Sequence, residues 1–451
     1  MNCHVIIFGV FCIIAVAVIL GVVYGMKKSN SCDNVGANAT LTISNIHDGT
    51  DLIYGGSLKV RWKVDKVGSS DVIRVSSKDG EQWHIEIIDV EGYYSKTVSG
   101  KAGTVYNISY MSCDEMLASA EIKAQSIAEM NLQCLLESEE SNSAIKNVVI
   151  IIMENESYDR IMTNKIMSIS APYFKSLGVS GSVNDMYFTP MTGASSGNNM
   201  YFGRGAYVFP DNNEWPANST GKNCFKDRGA GITYEEPTVM DLLIFCKKSV
   251  HWYGEGYQEK INNPNLCGPK YYDPSDTFHQ YYKSTRDVLS VNKDYSQFES
   301  DIRGQMLPSV SYIKPILEHS CHKPFSIMDC EDFVRKTLAQ INASSYYNSR
   351  TLVMITFDEY GFFYDSVARN KESQIDQMIS GYRTPLYIAG YFSRPGYISH
   401  IKRDHSSLIR FLEWNFLGAN GVGFLQTRDT NIDGNMNNIG DMLLNVEVPS
   451  N

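Results

Sequence analysis

VVIIIMENESYDRI, residues 148–161, opens with six consecutive apolar side chains and then breaks into acids. A run that is apolar at every position, rather than at alternate ones, fits a strand buried on both faces of a parallel sheet. Two further runs, TLVMITF (351–357) and TPLYIAG (384–390), have the same character. Between and beyond them, PTVMDLLIFCKKS, EDFVRKTLAQINAS and HSSLIRFLEWNFLG place apolar residues three and four apart, as amphipathic helices do. The alternation predicts an α/β domain over residues 147–451, with a doubly wound sheet.

Open α/β sheets bind ligands beyond the carboxyl ends of their strands. The first run ends in Glu154 and Asn155, and the second ends in Asp358 and Glu359. Three carboxylates and an amide delivered to one sheet edge make a hard, oxygen-rich set suited to one divalent metal ion. The competing reading is that these acids merely cap the helices that follow.

Upstream the texture differs. Residues 39–125 read as about six or seven short strands, among them SLKVRWKV, WHIEIIDV and TVYNISYM, between turns such as HDGTD and SKDGE. The pattern predicts a β-sandwich of immunoglobulin or fibronectin type, and LESEESNSAIK closes a polar linker over residues 126–146. Within residues 1–30, the apolar run from Val5 to Val23 is long enough for a membrane-crossing helix and lacks the charged start of a signal peptide. Lys27 and Lys28 after it would keep the large domain cytosolic. Eight of the ten cysteines lie beyond the anchor, with Asn-X-Ser/Thr sequons at Asn38, Asn107, Asn218 and Asn342, and these favour a lumenal, extracellular or surface location. The net charge of -10, with no basic block, argues against nucleic acid as a partner. It leaves phosphorylated substrates open, because a bound cation can supply the positive charge.

The opening motif resembles that of the phosphoesterase family of bacterial phospholipases C and acid phosphatases, where a buried strand ends in Met-Glu-Asn before a Ser-aromatic-Asp segment. LPSVSYIKP (307–315), ITFDE (355–359) and DHSSLIRFLEWNFLG (404–418) resemble three further motifs of that family in the same order. The resemblance implies an alkaline-phosphatase-like architecture, and the spacing is similar to the compact acid-phosphatase branch. It also implies a nucleophile in TGASSGNNMYFGRG (192–205). Aligning Asn198 and Gly205 with the family puts Ser195 in the attacking and metal-binding position, with Thr192 and Ser196 as alternatives and Asn198 as a substrate contact. A serine hydroxyl is a weak nucleophile unless a base or a cation activates it.

His405, in the closing motif, is implied to contact a phosphoryl oxygen or orient a metal-bound carboxylate, and His322 matches a family histidine that serves as general acid. The bland alternatives are that Asp404 and His405 cap a helix and that His319 and His322 are solvated loop residues beside a Cys321–Cys330 disulfide. The sequon at Asn155 is expected to be unused, since glycosylation conflicts with a ligand role. Three departures stand out: Gly193, Ala194 and Gly197 replace His and Pro around the nucleophile, Tyr272-Asp273-Pro274 replaces a His-Asn-Pro segment, and Ser366 replaces a His after Asp365. The leading expectation is a metal-dependent phosphate-ester hydrolase acting on a phosphorylated small molecule. The alternatives are a phospholipase C that meets a phospholipid headgroup at the membrane, and a surface protein that kept the fold and lost the reaction.

Overall fold

The computed structural model describes strand segments within residues 39–125, and then residues 141–205, 238–262, 291–369, 378–418 and 438–448 apart from short breaks at 164–168 and 194, together with residue 425. The expected anchor, the stretch 126–140 and Tyr272-Asp273-Pro274 lie outside these residues. Among the described residues no helix is long and apolar enough to cross a membrane.

Two compact units divide the chain, the first built mostly from residues 59–94 and 105–122 and the second mostly from residues 123–451. Among the described residues, eight strands precede residue 126: β1 (Ala39–Ile43), β2 (Asp51–Ile53), β3 (Ser57–Val64), β4 (Val72–Ser77), β5 (Gln82–Glu86), β6 (Glu91–Thr97), β7 (Val105–Ser112) and β8 (Glu115–Gln125). They form a sheet ordered β1-β3-β6 and another ordered β2-β8-β7-β4-β5. Alternation places Ile73 and Val75 of β4 and Tyr106, Ile108 and Tyr110 of β7 on a buried face, as a half-buried antiparallel pair requires. Asn107 is on the exposed face of β7.

The larger sheet contains β9 (Asn147–Met153), β10 (Ser182–Asn184), β11 (Val250–Gly254), β12 (Asn292–Asp294), β13 (Val310–Lys314), β14 (Thr351–Phe357), β15 (Leu386–Ala389) and β16 (Tyr397–Ser399). Its order is β12-β11-β13-β9-β14-β15-β10-β16. Every residue of β9 and β14 is buried, and alternate side chains enter two separate cores. Val148, Ile150 and Ile152 meet Met240 and Leu243 of α4 (Val239–Phe245) and Leu408 and Phe411 of α8 (Ser406–Leu417) in one core. Val149, Ile151 and Met153 share the other with Phe174 of α2 (Pro172–Ser180), Phe298 of α6 (Ser296–Arg303) and Val334 and Leu338 of α7 (Ile327–Ala343). Helices therefore cover both faces.

Local chemistry ends these helices where it should. Thr238 and Asp241 close a capping box on α4, Ser326 accepts from the Met328 N–H at the start of α7, and Gly418 takes φ 70° beyond α8.

Two sequence expectations need correction. The sheet is mixed rather than wholly parallel, because β15 runs antiparallel to both β14 and β10. An all-apolar run records burial on two faces but carries no information on direction. Residues 141–146, assigned to a linker, belong to the second unit: Asn142 Nδ2 donates to Trp414 O at 2.6 Å, Ser143 Oγ to Asn415 Oδ1 at 2.7 Å, and Ile145 is buried in the core.

Candidate active site

Neighbouring strands β13, β9 and β14 end side by side, and their last residues are tied together through the main chain. Glu154 N donates to Ser320 O at 2.7 Å, Asp358 N to Met153 O at 3.0 Å and Glu156 N to Glu359 O at 3.1 Å. Asn155, the first residue to leave the plane of β9, has φ 57°, a left-handed conformation that asparagine tolerates better than most residues. That turn brings its side chain back over the strand ends.

Ser195 begins α3 (Ser195–Arg204) and so stands at a helix N-terminus. Its Oγ donates to Glu154 Oε2 at 3.0 Å and lies 3.4 Å from Asn155 Oδ1. The Asn155 amide atom that faces the acids is 3.0 Å from both Glu154 Oε2 and Glu359 Oε1, and its other end is 3.1 Å from His322 Nε2. Five of the expected residues, Ser195, Glu154, Asn155, Glu359 and His322, thus converge, and Asp358 adjoins them through Asn155 N at 3.4 Å.

Two arrangements of the Asn155 amide are chemically consistent. His322 Nδ1 donates to the Lys323 carbonyl, so a neutral imidazole must accept at Nε2 from the Asn155 NH2 group, leaving the amide oxygen turned toward Glu154, Glu359 and Ser195. An oxygen facing carboxylate oxygens at 3.0 Å is repulsive unless a cation lies among them. With His322 protonated the amide reverses, its nitrogen donating to both acids and its oxygen accepting from Nε2. Among the described residues no group of three or more His, Cys, Asp and Glu side chains could by itself hold a metal ion. The donor set is completed by the amide and hydroxyl oxygens, and its hard-oxygen chemistry fits a divalent cation.

Lys314, at the end of β13, was given no role by the sequence. Its ammonium is buried, paired with Glu154 Oε1, 3.7 Å from Asp358 Oδ2 and 3.4 Å from Met153 O. Burial drives the Glu154 carboxyl upward from its ordinary range, and the nearby Asp358 charge adds to the rise against the attraction of Lys314. Glu154, Asp358 and Glu359 are all buried, so the cluster favours additional positive charge. Asn199 was also missed. One turn along α3 from Ser195, its Nδ2 donates to Ser195 O at 2.7 Å and Asp358 Oδ2 at 3.1 Å, joining the start of α3 to the residue that follows β14. The Asn-Asn doublet at 198–199 was the available signal.

Two further expected residues are held inside the fold. Asn198 is fully buried, accepting from Met191 N at 3.1 Å and donating to Gly193 O at 3.0 Å, so it shapes the turn before Ser195. His405 is also fully buried. Its Nε2 faces the Asp358 carbonyl at 2.8 Å and must donate, so Nδ1 accepts from the Tyr187 hydroxyl at 2.8 Å. Burial raises Tyr187 well above its ordinary pKa, which keeps that proton in place. His405 therefore positions the main chain of Asp358 and stacks on Phe202 at 4.2 Å. Asp404 does cap α8, accepting from Ser406 N at 2.9 Å.

The main chain at Ser366 belongs to a buried network. Its N–H donates to Asp159 Oδ2 at 2.8 Å, within a buried network in which Arg383 Nε reaches Asp365 Oδ1 at 2.7 Å and Nη2 reaches Asp159 Oδ1 at 3.0 Å. The network fastens the Ser-Tyr-Asp segment to the loop after Glu359. The Cys321–Cys330 disulfide closes the loop that carries His322.

A hydroxyl at a helix start, set among carboxylates at the carboxyl edge of a mixed α/β sheet, defines the class of site found in hydrolytic α/β proteins. The sequence model of the Phosphoesterase family matches residues 167–417, more than half of the chain, and the chain belongs to that family. An acid phosphatase of Aspergillus niger is 29% identical over 138 residues, 28% of this chain and 31% of that protein. A non-hemolytic phospholipase C of Pseudomonas aeruginosa is 24% identical over 202 residues, 36% of this chain and 29% of that protein. The chain thus spans about a third of the length of these relatives. Among solved structures, a lipoteichoic acid synthase from Listeria monocytogenes superposes with a TM-score of 0.40 at 9% identity, covering 69% of this chain and 82% of the other. A phosphonate monoester hydrolase from Silicibacter pomeroyi gives 0.37 at 11% identity, covering 64% and 75%. At these scores neither superposition bears on the assignment.

Proposed function

We propose that the chain is a metal-dependent phosphoric ester hydrolase of acid-phosphatase type, with Ser195 as nucleophile in an alkaline-phosphatase-like domain. The observation that carries this reading is the Ser195 hydroxyl, hydrogen-bonded to Glu154 at 3.0 Å and beside the Asn155 amide inside a buried carboxylate cluster. Family membership and the partial likeness to acid phosphatases support the reaction class.

A divalent cation held by Glu154, Asn155, Ser195, Asp358 and Glu359 would polarise a non-bridging phosphoryl oxygen and lower the pKa of the serine hydroxyl. Ser195 Oγ passes its proton to Glu154 Oε2, to which it is hydrogen-bonded, and attacks phosphorus in line; the ester P–O bond breaks, and the alcohol leaves with a proton for which His322 is the candidate donor. The positive end of the α3 dipole favours the phosphoryl anion at this position. Lys314 and Asn199 hold the carboxylates in place, and His405 fixes the Asp358 main chain. Water then cleaves the phosphoserine and restores the hydroxyl.

The likeness to a phospholipase C favours a second reading, in which the substrate is a phospholipid headgroup diester. The full chain, assayed on a chromogenic phosphomonoester and a phosphocholine diester with and without chelator, decides between them. Monoester turnover abolished by chelator is the expected result, and turnover of the diester alone selects the phospholipase. Turnover indifferent to chelator removes the metal, and no turnover with any divalent cation leaves a binding protein that kept the fold. We also propose a membrane-tethered location on the lumenal or outer side, which the Cys321–Cys330 disulfide supports because such bonds persist in oxidising compartments.

A further inference from the structure

Residues 360–364, Tyr-Gly-Phe-Phe-Tyr, follow Asp358 and Glu359 and wrap closely around Asn155. A Cβ on Gly361 would lie 2.3 Å from the Asn155 carbonyl oxygen, so the segment rests directly on the proposed site. Tyr360 is anchored beneath it, its hydroxyl donating to Thr192 O at 3.3 Å, three residues before Ser195. Phe362 and Tyr364 are nevertheless 65% and 62% exposed. Phe362 also holds φ 56°, a left-handed conformation that a bulky side chain adopts at a cost in free energy. Neither burial nor backbone preference accounts for a phenyl ring in that position.

The exposed rings have company. Phe362 lies 5.5 Å from the Tyr360 ring, and Tyr382 lies 5.5 Å from Tyr360 and 6.3 Å from Tyr364, spacings typical of aromatic contacts. On the other side of the turn Phe363 sits between the Arg160 guanidinium at 4.0 Å and Lys323 Nζ at 3.9 Å, next to His322. The turn thus combines exposed π faces on Phe362 and Tyr364 with a ring, Phe363, held between two cations, of which Arg160 is also paired with Glu156 at 2.7 Å.

We propose that this rim recognises the alcohol side of the substrate, and that the substrates are phosphate monoesters of flat, aromatic alcohols in preference to small aliphatic ones. The inference rests on the hydrolase reading for what occupies the site, and the occupant is fixed by continuity. Gly361, the residue before Phe362, packs against the Asn155 main chain, and Tyr360 is bonded to Thr192, so the exposed rings flank the segment that carries Ser195.

The test is calorimetric binding of phenylphosphonate and methylphosphonate to the full chain, with and without divalent cation, alongside aryl phosphate turnover. The expected result is about tenfold tighter binding of phenylphosphonate, the scale of one good aromatic contact, falling to near parity in a Phe362→Ala/Tyr364→Ala variant and kept in Phe362→Tyr. Equal affinity in the unmodified chain, no binding of either phosphonate, or a preference unchanged in the double variant would overturn the proposal. Because both side chains are exposed, the double variant retains its fold, and circular dichroism verifies this. A ring preference that persists in a chain with no turnover would count against hydrolysis while supporting the rim.

Discussion

At the scale of single residues, the acids were legible because strand ends deliver side chains to one edge, a rule that needs only the burial pattern and the residue that breaks it. Glu154, Asn155, Asp358 and Glu359 were all reached this way. Lys314 was not, although it ends the strand next to β9, because a lysine in an apolar context is ordinarily read as a residue whose long stem reaches water. Its burial between Glu154 and Asp358 yields a prediction. Lys314→Met removes the ammonium and leaves buried carboxylates uncompensated, so stability should fall by about 3 kcal/mol in chelator, the usual result of breaking a buried ion pair. Added divalent cation should recover part of that loss. Denaturant titration of both proteins in both buffers checks it, and an unchanged midpoint would mean that the charge is balanced elsewhere.

At the scale of elements, long runs with a clear period were readable and short ones were not. The motifs gave β9, β14, α7 and α8 closely, whereas β10, β12 and β16 are three-residue strands, too short to show any period. The direction of β15 is set by the route of the chain along the site edge, which no local pattern encodes. The Gly and Ser residues around Ser195 favour turns, yet the segment continues as helix α3, where Met200, Tyr201 and Phe202 are buried in the core. The turn 360–364 allows a sharp test of how tightly this edge is packed. Gly361 has φ +66° and its added Cβ would strike the Asn155 main chain at 2.3 Å, so Gly361→Ala should cost about 2 kcal/mol or more and lower turnover by displacing Asn155. Gly80, at φ +96° with nothing within 4 Å, supplies the control. Gly80→Ala should cost about 1 kcal/mol, from backbone strain only, with turnover unchanged. Equal effects in thermal unfolding and assay would mean that the contact with Asn155 is unimportant.

At the scale of the whole molecule, buried carboxyl groups couple folding to pH. Burial pushes Glu156 up to about 8, despite the opposing attraction of Arg160 at 2.7 Å. Its folded value lies above the ordinary 4.5, so its contribution to stability is fully present below about 4.5 and is lost as pH rises toward about 8. Glu154 shifts in the same direction. Glu156→Gln should therefore flatten the fall in unfolding free energy across that window, and an unchanged slope would show that Glu156 does not titrate there. The account as a whole stands on Ser195, and side-by-side turnover of a chromogenic phosphomonoester by the unmodified chain, Ser195→Ala and Ser196→Ala tests it most directly. The Ser195 hydroxyl is hydrogen-bonded to Glu154 at 3.0 Å, and successive positions of a helix are turned about 100° from one another. The predicted result is a loss of several orders of magnitude in Ser195→Ala, with cation binding weakened but retained, and a much smaller loss in Ser196→Ala. Equal losses in the two variants, or full turnover in Ser195→Ala, would contradict the account.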